Sequence, residues 1–418
     1  MSAGALGLAA IAAAQTETPD WREVYQQSRA AHEQKDYTKY RDSIYSLLEL
    51  LHGHPEAIFA MAKAESLIGN QGAAAHWLRT YARTGLYKDI AAENDLAAMR
   101  GDKQFEAIGR LIDQNRTPIS NSRTLLELAD DLIPEDIAFD SDSRRFLVTS
   151  IRRRKVIWID EDRKTGDWLT EGQDDLWAAL AIGIDPHHKT VWVTTEAMPQ
   201  ATGYHDADRN RSALRAYDLR TAKLLKHLEV PDRETPHELG DLTIAPDGTV
   251  FVSDGKTGRL YRATRNSTEL DLLSAGFASP QAPVVWSAKR VLVADYTLGI
   301  LAIDLQSKTI SPIKHPLEIP LNGIDCLMKW GRQLIAVQNG TNPPRVIRFH
   351  LSPSNDEVTR ADVLERNSEY LGTPTHGVVR DSRFYYLANT GFENFDAQGA
   401  IVAGKRLSPS RILYCELK

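Results

Sequence analysis

One pattern limits what this chain can fold into more than any other: a short β-hairpin that recurs six times from residue 137 onward. The paired apolar runs are 137–139 with 146–148, 181–184 with 191–193, 242–244 with 250–252, 284–286 with 291–293, 326–328 with 334–337, and 378–379 with 384–387. Turn-forming residues join them, such as Pro246-Asp247-Gly248 and Trp330-Gly331, which supply the backbone angles a tight reversal needs. Further strand-like runs follow each hairpin, so the whole unit repeats at roughly 45–50 residues. A strand repeat of that length predicts the blades of a propeller and not the two layers of a sandwich. The expected fold class is mainly β: a six-bladed β-propeller over residues 123–418, with the strand-like run 124–129 joining the last blade to close the ring.

Ahead of these hairpins the apolar period is 3.6 rather than 2. Helical spacing runs through residues 21–32, 37–51, 55–68, 72–81 and 104–112, with breaks at Gln34-Lys35-Asp36, Gly53-His54, Gly69-Asn70 and Gly85. Two units, centred on Asp36-Tyr37 and Gln71-Gly72, stand about 34 residues apart, the helix-turn-helix period of tetratricopeptide repeats. Residues 20–117 therefore read as a small all-α helical-repeat domain, a kind of surface that takes a protein partner, with a plain helical bundle as the alternative. Residues 1–19 read as a truncated signal peptide or a disordered leader, because 4–14 are small and apolar and Ala12-Ala13-Ala14 fits a secretory cleavage site. The expected localisation is periplasmic or secreted, with the cytoplasm as the alternative.

The propeller geometry selects candidate site residues by counting. The innermost strand of each blade lines the central channel, and the second strand returns to the face from which the first set out. A residue just ahead of strand one thus shares a rim with the residue ending strand two. The second strands end at Ser150, Thr195, Asp254, Asp295, Gln338 and Asn389, and counting back across each hairpin gives Glu135, Leu180, Gly240, Gln281, Asp325 and His376. Four of the six are polar. Carboxylate and amide oxygens around an axis favour Ca²⁺ or Mg²⁺, and an imidazole tilts the set toward Mn²⁺ or Zn²⁺. The expected cofactor is a divalent cation, Ca²⁺ first, held by Glu135, Gln281 and Asp325. Asp325 and His376 are the expected catalytic residues, with His376 as a proton acceptor. A polar plug that simply holds buried water is the alternative.

These stretches also carry a family resemblance. Pro134-Glu135-Asp136-Ile137-Ala138-Phe139-Asp140, Ser279-Pro280-Gln281-Ala282-Pro283-Val284 and Asn322-Gly323-Ile324-Asp325-Cys326-Leu327 resemble the first-, fourth- and fifth-blade motifs of the gluconolactonase/regucalcin-like propellers, calcium- or zinc-dependent lactonases and their relatives. The resemblance, which spans residues 125–418, implies that Glu135 is a metal ligand, that Gln281 stands where the family has a ligand asparagine, and that Asp325 is ligand and base. Leu239-Gly240-Asp241-Leu242 departs from the pattern, with glycine where the family places an asparagine beside the substrate. Ala336-Val337-Gln338-Asn339-Gly340 and Pro374-Thr375-His376-Gly377, with the helical prefix, resemble a bacterial subgroup that joins tetratricopeptide-like helices to this propeller.

Gly240, Asp241 and Asn339 are accordingly expected to bind substrate. So are Arg152, from the cationic run Arg152-Arg153-Arg154-Lys155, and Tyr204, from the rim loop 196–212 that would form a lid with the segment 391–409; a solvated surface run and ordinary surface loops are the alternatives. The formal net charge of −6 argues against a nucleic-acid partner, and no later run reaches the roughly 18 apolar residues of a membrane span. The two cysteines, Cys326 and Cys415, read as buried small hydrophobes. There is no phosphate loop, nucleophile-elbow serine or HExxH. Two functions follow. One is a metal-dependent hydrolase of lactonase or esterase type acting on a small molecule at the channel mouth. The other is a non-catalytic binding or scaffold protein whose helices hold a protein partner.

Overall fold

The structure, a computed structural model, describes residues 20–129 and 131–417. The leader reading, on residues 1–19, lies outside the described residues. The first five helices are α1 (Trp21–Glu33), α2 (Tyr37–Leu50), α3 (Pro55–Leu67), α4 (Gln71–Arg83) and α5 (Lys103–Gln114). Each opens on a side chain that accepts a hydrogen bond from a free backbone N–H of its first turn: Asp20, Asp36, His54, Asn70 and Asp102. The pair α3–α4 begins 34 residues after the pair α1–α2, at Pro55 against Trp21 and at Gln71 against Tyr37. Small side chains permit that repeat to close up. Ala62, Ala64, Ala74 and Ala75 are buried with Leu78 and Ile58 in a single apolar core.

From Arg123 onward the chain forms six antiparallel sheets arranged as blades. Their inner strands are Pro134–Asp140, Ala178–Asp185, Leu239–Ile244, Pro280–Ser287, Ile324–Trp330 and Gly377–Arg380. They touch in cyclic order, the last against the first. Ring closure follows the expectation: Arg123–Glu127 pairs with Arg411–Glu416 as the outermost strand of blade 6. Both ends of the propeller sequence thus lie in one sheet.

The second strands do not alternate as a half-buried strand would. Arg290–Asp295 is buried at every position after its first, as is Gln333–Gln338. The reason is that blades stack face to face, so both sides of a sheet are covered. Leu334 and Ala336 face blade 4, while Ile335 and Val337 face blade 6. One apolar cluster fills each of the six junctions. Cys326 and Cys415 are free thiols buried together in the junction of blades 5 and 6.

The helices are fastened to blade 5. Ile119–Ser120 adds a fifth strand to that sheet, and Tyr87 N donates to Asn342 O at 2.7 Å. Arg345, 1% exposed, donates to Gln338 Oε1 at 2.7 Å and to Thr84 O at 2.8 Å. Burial pushes its pKa down to about 10, the signature of a guanidinium cut off from water.

Candidate functional site

The inner strands share an irregularity that builds the site. In blades 1 to 4, two inner residues oppose one residue of the second strand: Glu135–Asp136, Leu180–Ala181, Gly240–Asp241 and Gln281–Ala282. In blade 5, Asp325 alone is the extra residue. Each is a β-bulge, which bends the strand and re-aims the side chains at it. Hydroxyls on the second strands hold the bulges open. Thr149 Oγ1 accepts from Asp136 N at 2.9 Å and donates to Leu180 O at 2.6 Å, and Thr194 Oγ1 accepts from Ala181 N at 2.9 Å. Consecutive residues therefore face the channel, where a regular strand would offer only every second one.

Five of the six counted positions, Glu135, Leu180, Gly240, Gln281 and Asp325, line one cavity of about 300 Å³ together with Glu238, Asp241, Ser279, Tyr296 and Asn339. The sixth, His376, is not among its lining residues. Ligand atoms of Glu135, Asp325 and His376 lie within 4.8 Å of one another, although they come from blades 1, 5 and 6.

The charges here are crowded. Burial, then the neighbouring Asp325 charge, holds the Glu135 carboxyl well above the usual carboxylate range, and among the described residues no hydrogen bond reaches that carboxyl. Burial pushes Asp325 up to about 6, against the pull of His376. Asn339 positions Asp325: its Nδ2 donates to Asp325 Oδ2 at 2.7 Å and to Pro374 O at 3.0 Å, while Tyr296 O–H donates to its Oδ1 at 3.0 Å.

His376 is set between two aspartates. Its Nε2 lies 2.7 Å from Asp241 Oδ1 and its Nδ1 3.7 Å from Asp136 Oδ1. Burial alone would lower its pKa, but the Asp241 and Asp136 carboxylates overcome that and hold it well above the imidazole range. Both ring nitrogens thus face carboxylates, which favours the protonated form of the ring. Asp136, pushed to about 6 by burial, accepts from Ile137 N at 2.7 Å and from Ile182 N at 2.8 Å, tying blade 1 to blade 2.

Two expected substrate-binding residues are not in the cavity. Arg152 donates to Gln200 O at 3.0 Å and lies 5.1 Å over the Phe395 ring. Tyr204 lines a separate hollow with Arg154 and Trp177. The loops 196–212 and 391–409 pack on each other, Gln200 Nε2 donating to Asp396 O at 3.0 Å, and Phe395 is buried beside Leu180. Neither loop supplies a lining residue of the polar cavity.

Counting single positions missed Asp136, Glu238 and Tyr296. A Cβ placed on Gly240 would stand 3.8 Å from both Glu238 Oε1 and Gln281 Oε1. Glu238 thus converges with Gln281 over the position where the resembled family has an asparagine. Its other oxygen is 3.1 Å from Lys256 Nζ, which also meets Glu196 Oε1 at 2.7 Å. Burial, then the Glu238 charge, pushes Glu196 up to about 8. The repeated hydroxyls at 149, 194 and 253 were the available signal, since each marks a bulge whose second residue also faces inward.

The donor set fits a divalent cation. Glu135 and Asp325 are half-buried like charges in one polar cavity, and a positive ion between them would favour the ionised form of both. Gln281 adds a neutral oxygen from the same cavity, whereas the His376 nitrogens are turned to Asp241 and Asp136.

No protein-family model matches this sequence, and no curated protein is similar to it. Solved structures do resemble it. A luciferin-regenerating enzyme is 12% identical over 72% of this chain and 95% of its own, with a TM-score of 0.48. A glucose dehydrogenase is 14% identical over 72% and 100%, with a TM-score of 0.47. Virginiamycin B lyase from Staphylococcus aureus is 13% identical over 70% and 99%, with a TM-score of 0.45. The likeness is one of fold.

Proposed function

We propose that this protein is a divalent-metal-dependent hydrolase of the lactonase or esterase type, acting on a small molecule at the polar mouth of the channel. The observation that carries the reading is the convergence of Glu135 and Asp325, with the Glu135 carboxyl facing no hydrogen-bond donor among the described residues. Glu135, Asp325 and Gln281 would hold the ion, Ca²⁺ first. Bound there, the ion would polarise a carbonyl and acidify a water. Asp325, at about 6, is mostly ionised at neutral pH and can take the proton of that water, with Asn339 fixing its direction. Glu238 and Asp241 bound the space beside Gly240 where the substrate would sit. The imidazolium of His376 keeps Asp136 and Asp241 compensated, so the floor stays rigid. This reading extends the resemblance to the gluconolactonase/regucalcin-like propellers, and glycine at 240 is compatible with it because Glu238 occupies that flank.

The test is elemental analysis of the purified protein followed by a panel of lactones and esters, assayed before and after EDTA dialysis. Turnover should vanish with the ion and return when Ca²⁺ or another divalent cation is restored. Turnover that survives chelation sinks the mechanism. A protein that binds no cation and hydrolyses nothing leaves the scaffold alternative in its place.

A further inference from the structure

Four cations stand in a row after the first hairpin of blade 1, and the structure accounts for three. Arg152 is spent on Gln200 O and the Phe395 ring. Arg153 is paired with Asp131 and lies 3.7 Å from Glu171. Lys155 Nζ meets Asp167 Oδ1 at 2.9 Å. The Arg154 guanidinium, by contrast, makes no hydrogen bond or ion pair among the described residues, and its Nε is buried without a partner. The residue is half-buried, and the one buried N–H left without an acceptor is unfavourable.

This arginine is not a loose surface side chain. A Cβ on Gly172 would come within 3.1 Å of its Nη2, and one on Gly203 within 2.9 Å. Both glycines have φ of 68°, a conformation other residues rarely adopt. Two turns therefore grip the guanidinium and fix where it points. It borders a hollow of about 250 Å³ with Trp177, Met198, Tyr204 and His205. The other cations near Trp177 are occupied. Arg211 is bound to Glu229 and Asp208, both at 2.8 Å, and Arg215 donates to the carbonyls of Asp174 and Asp175. Asp175 also borders the hollow and makes no ion pair with Arg154.

We propose that this hollow binds a small organic anion: a carboxylate that takes the Arg154 fork, on an aromatic or short apolar body lying among Trp177, Met198 and Tyr204. The fork geometry of a guanidinium suits a planar carboxylate, and the apolar walls favour a ligand with a body over a bare inorganic anion. The volume lies just below the usual range for ligand sites, roughly 300–1,000 Å³, so the ligand is small. The hollow shares no lining residue with the polar cavity, and the proposal stands apart from the hydrolase reading.

The probes are 4-fluorobenzoate, its neutral amide and inorganic phosphate, added to the full-length protein and followed by ¹⁹F NMR for the first two and by melting shift for all three. Benzoate should bind saturably at millimolar concentration, and both the amide and phosphate about tenfold more weakly. Arg154→Gln should weaken benzoate about tenfold, Tyr204→Leu about threefold, and the exposed control Arg163→Gln not at all. Asp175→Asn, which removes one of the two carboxylates lining the hollow, Asp175 and Asp208, should tighten it. If Arg154→Gln does not fold, the Tyr204 and Asp175 variants carry the test. Equal binding of the amide, retention of benzoate binding in Arg154→Gln, or no binding by either the wild type or Asp175→Asn overturns the proposal.

Discussion

The two ends of the channel are built from the same six strands and could hardly differ more. At one end stand Glu135, Gln281 and Asp325 over His376. At the other, each blade contributes a half-buried apolar side chain: Phe139, Ile184, Ile244, Trp286, Met328 and Val378 line a funnel of about 980 Å³. Two to five residues of strand separate the layers, on the order of 13 Å at most for a four-residue step. Between them lies the imidazolium of His376 with Asp136 and Asp241. The funnel is the larger cavity, yet it holds few groups able to act on a bond. The polar end is small and concentrates the carboxylates. Size and chemistry part company here, and chemistry is the better guide to the working face.

The sharpest way to break that contrast is to neutralise the polar end. Asp325→Asn and Glu135→Gln keep the shape but remove a charge. Each should abolish stoichiometric metal binding, and Asp325→Asn should lower kcat by roughly 10²–10⁴-fold. Neither should lower the melting temperature of the metal-free protein, because each relieves repulsion between buried carboxyls. A variant that keeps its metal and its rate would move the working site elsewhere.

The next largest effect is at the boundary between the two ends. His376→Asn removes the imidazole between Asp136 and Asp241, leaving buried carboxylates uncompensated at a cost of about 3–5 kcal/mol. Asp136→Asn added to it should recover part of that loss, measured by denaturant unfolding. If His376→Asn is as stable as the parent, the imidazolium is not what joins the two layers.

How much of this was legible in the sequence divides along the same line. The blades, the closing strand and the helices followed from period and turn residues, because burial on a repeating scaffold leaves a repeating pattern. The mouth was legible as far as one residue per blade, which a hairpin count delivers. Asp136 was not, because the count assumes a regular strand and the bulge at Glu135–Asp136 turns both residues inward. The surroundings of His376 were not, because Asp136 and Asp241 lie far from it in sequence. Arg152 looked like the ligand-facing arginine of its run because sequence does not say which of three adjacent guanidiniums finds a partner. Pairing across the rim decides that.

Titration offers a gentler probe of the polar end. In the folded chain Glu135 is held well above its ordinary value of 4.5, Asp136 and Asp325 near 6, and Glu196 near 8. The raised His376 has the same sign. For all of these the folded state binds more protons than the unfolded one, so the stability they contribute falls as pH rises from about 4.5 to 8 and beyond, while the lowered carboxylates Glu161, Asp232 and Asp362 act only below that window. Melting of the chelated protein should drop by roughly 5 °C across that range. Saturating Ca²⁺ should flatten the drop, because the ion takes the place of the Glu135 proton, and its affinity should weaken as pH is lowered. A pH profile unchanged by the ion would separate the carboxylate cluster from metal binding.

The smallest expected effect belongs to the funnel. Trp286 is half-buried there, with Lys329 Nζ 4.6 Å over its ring and 2.7 Å from its carbonyl oxygen. Trp286→Ala should cost about 1–2 kcal/mol, less than the 3–5 of a fully buried aromatic. It should leave kcat and KM within about twofold, since effects confined to packing far from the reacting atoms act on stability before they act on rate. The measurement is informative because the funnel also ends on His376 and Cys326. Were substrate to enter from that side, removing the largest side chain of its rim would change KM sharply while sparing metal affinity. An unchanged KM beside a lowered melting temperature would assign the apolar end to holding the six blades together, and the polar end to the chemistry.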